Sequence, residues 1–451
     1  MSEIIEQQEE SAIDALNRAL EQENVELARS VVDSLHPSEI ADIIEGLPKQ
    51  QRYVVWQLID PELEGDVLSH TQDGVRAELM EQMQPHEVVI ATQDLETDDV
   101  ADILQDLPED VAETILQSMD EQNRDRLASV MTYPEDSAGG LMNLDVTSVR
   151  ADVTLDVVAR YLRRIGEIPE DTNSIMVVDR DNHYLGVLHL TDLLLKDQST
   201  TVGEWLDEAP CLNAEVITTE VAKLFEQRDL VSAAVVDEQG HLLGRVTIDD
   251  VVDVIQDAAD QTVRSMAGLS SEDDMFGSVI SSTRRRAVWL GINLMTVFLG
   301  AWVIGRFEET IQQLVALAVL LPVVAGMGGI AGSQTLTIAI RGIAQGQLVK
   351  TNVKPLLYKE LAVGVLNGLI WSCIVGLVVY FWFEDTSLGI IIGMAMFINL
   401  IVAALAGALI PFVLKSFGID PAIAGSVVLT TLTDVVGFMT FLGLATIYLM
   451  V

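Results

Sequence analysis

The chain has 451 residues, of which 68 are acidic and 26 basic, giving a formal net charge of −42 and an isoelectric point near 4.2. That length exceeds one compact core, and that charge repels phosphate, so nucleic acid is excluded as a partner while cations are favoured. From Arg284 onward only seven acidic and nine basic residues occur, which confines the negative charge to the first 283.

The opening MSEIIEQQEE has neither a basic nor an apolar stretch, and no signal peptide is expected there. Residues 1–130 form an acidic domain that reads as all-helical, with apolar positions every three or four residues and proline at helix starts. The domain echoes itself at an offset of 60: HPSEIADIIEGLP (36–48) matches ETDDVADILQDLP (96–108). Helices paired this way stack into a superhelical domain.

A second repeat, at an offset of 58, changes the period. VVDRDNHYLGVLHLTDLL (177–194) aligns with VVDEQGHLLGRVTIDDVV (235–252), reading as strand, turn, strand and then an acid opening a helix. Gly186 and Gly244 permit a close backbone approach, and Asp192 and Asp250 start helices. This tandem α/β module, within residues 131–257, resembles the cystathionine-β-synthase (CBS) pair, a module that commonly responds to small ligands, so a nucleotide is a candidate partner there. The module contains no nucleophile–base set, and His183, His189 and His241 each read as isolated surface or packing residues. Neither HExxH nor a phosphate-binding GxxxxGK[ST] occurs, and Cys211 and Cys373 are too far apart in the sequence to suggest a disulfide framework. No enzyme activity is expected.

Residues 258–283 form a connector of mixed polarity that ends at three arginines, as an amphipathic helix at a membrane surface would. Five apolar stretches follow, at 287–305, 314–340, 361–383, 388–414 and 422–450, each near the roughly 20 residues needed to cross hydrocarbon. Arg284, Arg285, Arg286, Arg341, Lys350, Lys354, Lys359 and Lys415 lie on one side of these spans, and Arg306 alone on the other. The positive-inside rule then puts the soluble part in the cytoplasm and the C-terminus outside. The expected fold class is therefore a multidomain membrane protein: an all-α superhelical N-terminal domain, an α/β tandem CBS pair, a connector helix, and a five-helix transmembrane domain over 284–451.

Asp434 stands out within the spans, because an ionised acid at mid-membrane costs about 2.5–3.5 kcal/mol and is seldom kept without a use. Thr430 and Ser426 precede it by fours, so the three share a polar helix face suited to lining a water-filled path. Asn293, Asn367 and Asn399 are read instead as helix–helix hydrogen-bonding residues. Pro322 and the GMGGIAG run at 326–332 either interrupt the second span or let another backbone come very close. Mg2+ keeps several of its waters and takes oxygen ligands, so one carboxylate per subunit with neutral oxygens suits it as the transported ion. In the soluble part, Asp98 and Asp102 lie one helical turn apart, as do Asp249 and Asp253, with Asp250, Asp257 and Asp260 nearby. Like charges at that spacing repel unless cations screen them.

With these elements in order, the sequence resembles the MgtE family of bacterial Mg2+ channels along nearly its whole length. The strings that carry the resemblance are YPEDSAGGLM (133–142), GMGGIAGSQT (326–335) and DPAIAGSVVLTTLTDVVGF (420–438). The resemblance implies a homodimer in a bacterial inner membrane with its pore between subunits and Asp434 recognising hydrated Mg2+. It also implies Mg2+ as regulator, closing the pore by drawing the cytoplasmic parts together, with Asp98, Asp102, Asp229, Asp250, Asp253 and Asp420 as ligands. The rival expectations are a membrane-anchored Mg2+ or nucleotide sensor that does not conduct, and a transporter of Co2+ or Mn2+.

Overall fold

The computed structural model describes residues 12–450 except 21, 23, 94, 106, 167, 170–171, 270–274 and 350. The acidic start over 1–11, part of the expected connector at 270–274, and Lys350 of the positive flank therefore lie outside the described residues. The chain divides into two compact units, the first of residues 1–260 with 272–277 and the second of 261–271 with 278–451.

Among the described residues the first unit begins with ten short helices: α1 (12–20), α2 (Val25–Val32), α3 (Pro37–Glu45), α4 (Lys49–Trp56), α5 (Glu64–Ser69), α6 (Asp73–Met80), α7 (Pro85–Ala91), α8 (Thr97–Gln105), α9 (Glu109–Ser118) and α10 (Glu121–Val130). The offset of 60 holds in space, since α3 and α8 are the same turns of the repeat. His36 starts α3 through a capping box with Glu39. At its other end, carbonyls of the last turn and of the segment just after it accept from Arg52 of α4. Arg52 is completely buried, and its guanidinium donates to the carbonyls of Ile44 (3.1 Å), Leu47 (2.8 Å) and Glu45 (3.1 Å). Glu78 lies 3.5 Å from the same group and balances its charge.

Two three-stranded sheets follow, with the same topology. The first joins β1 (Ser148–Arg150), β2 (Ser174–Val178) and β3 (Tyr184–His189); the second joins β4 (Cys211–Asn213), β5 (Ser232–Val236) and β6 (Leu242–Thr247). In each, the first pair is parallel and the second antiparallel, with the irregularity falling at the equivalent residue, Val177/Val178 and Val235/Val236. Helices α11 (Leu155–Ile165), α12 (Leu190–Leu195) and α13 (Thr218–Arg228) pack around the sheets, and α14 (Ile248–Met266) leaves the last strand. The repeat glycines are sterically required: a Cβ on Gly186 would lie 2.2 Å from the Asp207 carbonyl, and one on Gly244 would lie 2.7 Å from that of Asn143. The second half of the pair shares one core with the helical domain, where Phe225, Val235 and Val246 join Ile103, Leu104 and Ile115. The string at 133–142 makes this joint, its Ala138 and Gly139 amides donating to Val216 and Ala214.

Two expectations for this unit need correction. His183 and His241 are not isolated, because their rings stack 4.4 Å apart, each held by an aspartate, Asp179 or Asp237. The pairing follows from the pseudo-symmetry of the repeat, which brings the equivalent turns face to face. Residues 258–266 do not start a separate connector helix either. They continue α14 from Ile248, since no helix-breaking residue separates the CBS tail from the connector.

Among the described residues the second unit holds five helices long and apolar enough to cross a membrane: α15 (Val279–Gly305), α17 (Ala316–Ala344), α18 (Val353–Phe383), α19 (Thr386–Ser416) and α20 (Pro421–Met450), with a short α16 (Glu308–Gln313) between the first two. Close packing rests on small residues. On α18, Gly364 meets Ala404 of α19, and Gly376 meets the backbone of Gly389. Helix α17 runs unbroken through Pro322 and the glycine run, so of the two expectations for that stretch the structure takes close approach. The glycines divide by face. Gly328 receives the fully buried Asn399, whose amide donates to the Val324 carbonyl (3.0 Å), whereas Gly326 and Gly329 border open space. Asn399 thus bonds across helices, but Asn293 bonds back to Trp289 within its own helix (2.9 Å).

Replacing Arg52 with Met keeps the aliphatic stem but removes the donor shared by the Ile44, Glu45 and Leu47 carbonyls and the buried charge facing Glu78. That should cost about 3 kcal/mol. Hydrogen exchange of the α3 amides measures it directly, and unchanged protection would contradict the capping role.

Candidate functional site

Helices α17 and α20 face each other across an open groove of ≈ 1010 Å³. From α17 come Gly326, Gly329, Ser333 and Thr337, and from α20 Thr430 and Asp434. The residues repeat every three or four positions on each helix, so one stripe of α17 looks onto one stripe of α20. Glycine on the first stripe keeps the wall low.

The hydroxyls are oriented by their own helices. Ser333 donates to the Gly329 carbonyl (2.8 Å) and Thr430 to that of Ser426 (2.9 Å). Each hydroxyl hydrogen is therefore committed to the backbone, and the oxygen turns its lone pairs outward. Together with the half-buried carboxylate of Asp434, these oxygens form a set of acceptors. Such a surface can hold a cation or the hydrogens of its hydration water. Ser426, expected on the same face, acts here through its carbonyl and does not line the groove.

A second acidic constellation lies in the first unit, where α8 and the start of α14 come together. Asp98 is only 5 % exposed. Its carboxyl is held well above the usual range by burial first and then by Asp250, Asp99 and Glu96. Asp250 is pushed up to about 8 by burial and by Asp249, although it accepts hydrogen bonds from the Thr247 amide and hydroxyl. Asp99 rises to about 6 for the same reasons, while His70 and Arg76 pull it down. Asp253 is raised by burial and then by Asp257, and Glu96 by burial against the pull of Arg245. Asp99 and Glu96 were not singled out in the sequence. Their only signal there was adjacency to Asp98, and α8 alone does not show that both turn toward α14.

The remaining expected ligands are placed differently. Asp102 lies on α8, one turn after Asp98. Asp229 is exposed at the left-handed C-cap of α13 (φ 51°). Asp420 accepts from the Ala422 amide (2.8 Å) at the start of α20 and lines a separate cavity of ≈ 210 Å³ with Gln261, Thr262 and Ser265.

Comparison with known proteins matches three family models: a divalent cation transporter model over residues 321–444, an MgtE intracellular N domain over 35–136, and CBS domains over 138–198 and 203–257. The magnesium transporter MgtE of Thermus thermophilus is 31 % identical over 447 residues, covering 98 % of this chain and 99 % of that one. That of Bacillus subtilis is 29 % identical over 425 residues, covering 93 % and 94 %. Among solved structures, the cytosolic domain of the Mg2+ channel MgtE in complex with ATP is 33 % identical, covers 54 % of this chain and 99 % of that one, and has a TM-score of 0.49.

The raised carboxyls make a stability prediction with a definite sign. Between the ordinary value of 3.8 and the raised values, about 6 for Asp99 and about 8 for Asp250, the folded chain binds more protons than the unfolded one. Stability in chelator should therefore fall as pH rises from 4 to 8, and Asp250→Asn should flatten the decline. Melting temperatures measured across that range decide it, and a decline equally steep in the variant would contradict the assignment.

Proposed function

The chain belongs to the MgtE family of magnesium transporters, and from that premise we propose that it is a Mg2+ channel of the bacterial inner membrane whose cytoplasmic acids close it when Mg2+ is plentiful. The observation that carries the proposal is the groove in which Asp434 and two back-bonded hydroxyls present only acceptors. Mg2+ is reluctant to lose water, and a lining of this kind can hold it through its hydration shell. The groove is open on a single chain. A second copy about a two-fold axis would close it and bring a second Asp434, so that two negative charges meet two positive ones.

With the basic flanks inside, an inward potential of 100 mV favours entry of a divalent ion by about 4.6 kcal/mol, which drives uptake without a pump. Closure follows from the acids on α8 and α14. Without a cation or proton between them Asp98 and Asp250 repel, and Mg2+ at that joint replaces repulsion with attraction. Asp102, Asp253, Asp229 and Asp420 complete the set of regulatory ligands in this proposal. The CBS pair is where a nucleotide would act as a second input.

Asp434→Ala removes one charged contact, about 1.5–3 kcal/mol, which predicts uptake lower by about 10- to 100-fold. Flux into proteoliposomes across Mg2+, Ca2+, Co2+ and Mn2+ tests both conduction and choice of ion. A variant that conducts like the parent chain would leave a non-conducting role for Asp434 and sink the proposal. Deleting residues 1–130 should preserve flux but weaken its inhibition by millimolar internal Mg2+. Inhibition undiminished by the deletion would remove the helical domain from the mechanism.

A further inference from the structure

Asp434 is not the only acid in the membrane unit held away from water. Glu360, in α18, is 3 % exposed. One carboxylate oxygen accepts from the hydroxyl of Thr335 in α17 (3.0 Å), and the other from the ammonium of Lys359 (2.8 Å). Burying this charge is costly, and nothing in the transport scheme above uses it.

The use lies in what Thr335 belongs to. On a helix, residues two apart point to nearly opposite sides. Ser333 and Thr337 line the Asp434 groove, and Thr335 between them is buried on the far side. Gln334 and Ile338 border both that groove and a smaller cavity of ≈ 130 Å³ around Glu360 and Asn367. At this level α17 is a wall one helix thick, with cation oxygens in front and Glu360 behind. The wall has no slack, since a Cβ on Gly407 of α19 would lie 2.6 Å from the Gly332 carbonyl and 2.9 Å from the Thr335 Cβ.

We infer that Glu360 is a positioning residue for the cation groove: by accepting the Thr335 hydroxyl it fixes the rotation of α17, and with it the placing of the Ser333 and Thr337 oxygens. A carboxylate suits the task because it can only accept, so Thr335 must donate and the link has one polarity. Side-chain atoms stand about 5–6 Å from a helix axis, so a 20° rotation moves them by about 2 Å, enough to spoil a cation site. The inference rests on the proposed conduction of Mg2+ through this groove.

The test uses the full-length protein in liposomes, with Cys211 and Cys373 replaced by Ser and Thr337→Cys as a reporter. Glu360→Ala and Thr335→Val should each change the rate at which a polar thiol reagent modifies residue 337 by about tenfold, the scale of losing a hydrogen bond to a charged group. Without the reporter substitution, the same two variants should lower the flux ratio of Mg2+ over Ca2+. Glu360→Gln and Thr335→Ser keep the acceptor and the hydroxyl, and should restore both readouts. Unchanged reactivity in Glu360→Ala and Thr335→Val overturns the inference, as does a Glu360→Gln variant no better than Glu360→Ala. Should Glu360→Ala fail to fold, the Thr335 pair decides alone. A parent chain that carries no Mg2+ refutes conduction instead, while thiol reactivity still reports on positioning.

Discussion

A carboxylate taken out of bulk water persists only beside a proton, a cation or a well-aimed donor, and this protein places such groups at three depths. Asp98 and Asp250 are buried among other carboxylates, and their affinity for protons rises accordingly. Glu360 is neutralised by Lys359 and anchored by Thr335. Asp434 is half-buried and faces the open groove between α17 and α20. One kind of side chain thus meets three different surroundings.

The same economy governs the neutral groups. Hydroxyls in an apolar helix can satisfy their hydrogens on the carbonyl one turn back, and Ser333 and Thr430 do so. That local choice turns ordinary donor–acceptor side chains into acceptors toward the groove. Asn399 does the opposite job. It fills the notch at Gly328 and spends its amide on a carbonyl of α17, so α17 and α19 are locked where Pro322 has removed a backbone donor nearby. The glycines on the two faces of α17 therefore serve different ends, one admitting a side chain and the other bordering the open groove.

The soluble unit repeats the pattern with water nearby. Arg52 closes the end of α3 from a fully buried position, and Arg245 sits against Glu96 beside the acid cluster. Arg52 and Arg245 tie the helical domain together and to the second CBS half, while burial and neighbouring acids raise the carboxyls of Asp98 and Asp250. Attractive and repulsive contacts are close neighbours at this joint.

Much of this was legible in one dimension. The five spans follow from run length, the repeats at 58 and 60 from matching strings, and Asp434 from the rarity of an acid within an apolar stretch, all properties carried by the order of residues along the chain. Glu360 escaped because the third apolar run begins at 361, whereas the helix begins at Val353; Lys and Glu extend a helix as well as apolar residues do. Pairings between distant segments also lay beyond sequence. The stacking of His183 on His241, the convergence of Asp99 and Glu96 on α14, and the unbroken course of α17 through Pro322 depend on which surfaces meet. Those contacts are set by packing among elements far apart in the chain, and residue order fixes periodicity and charge without fixing neighbours.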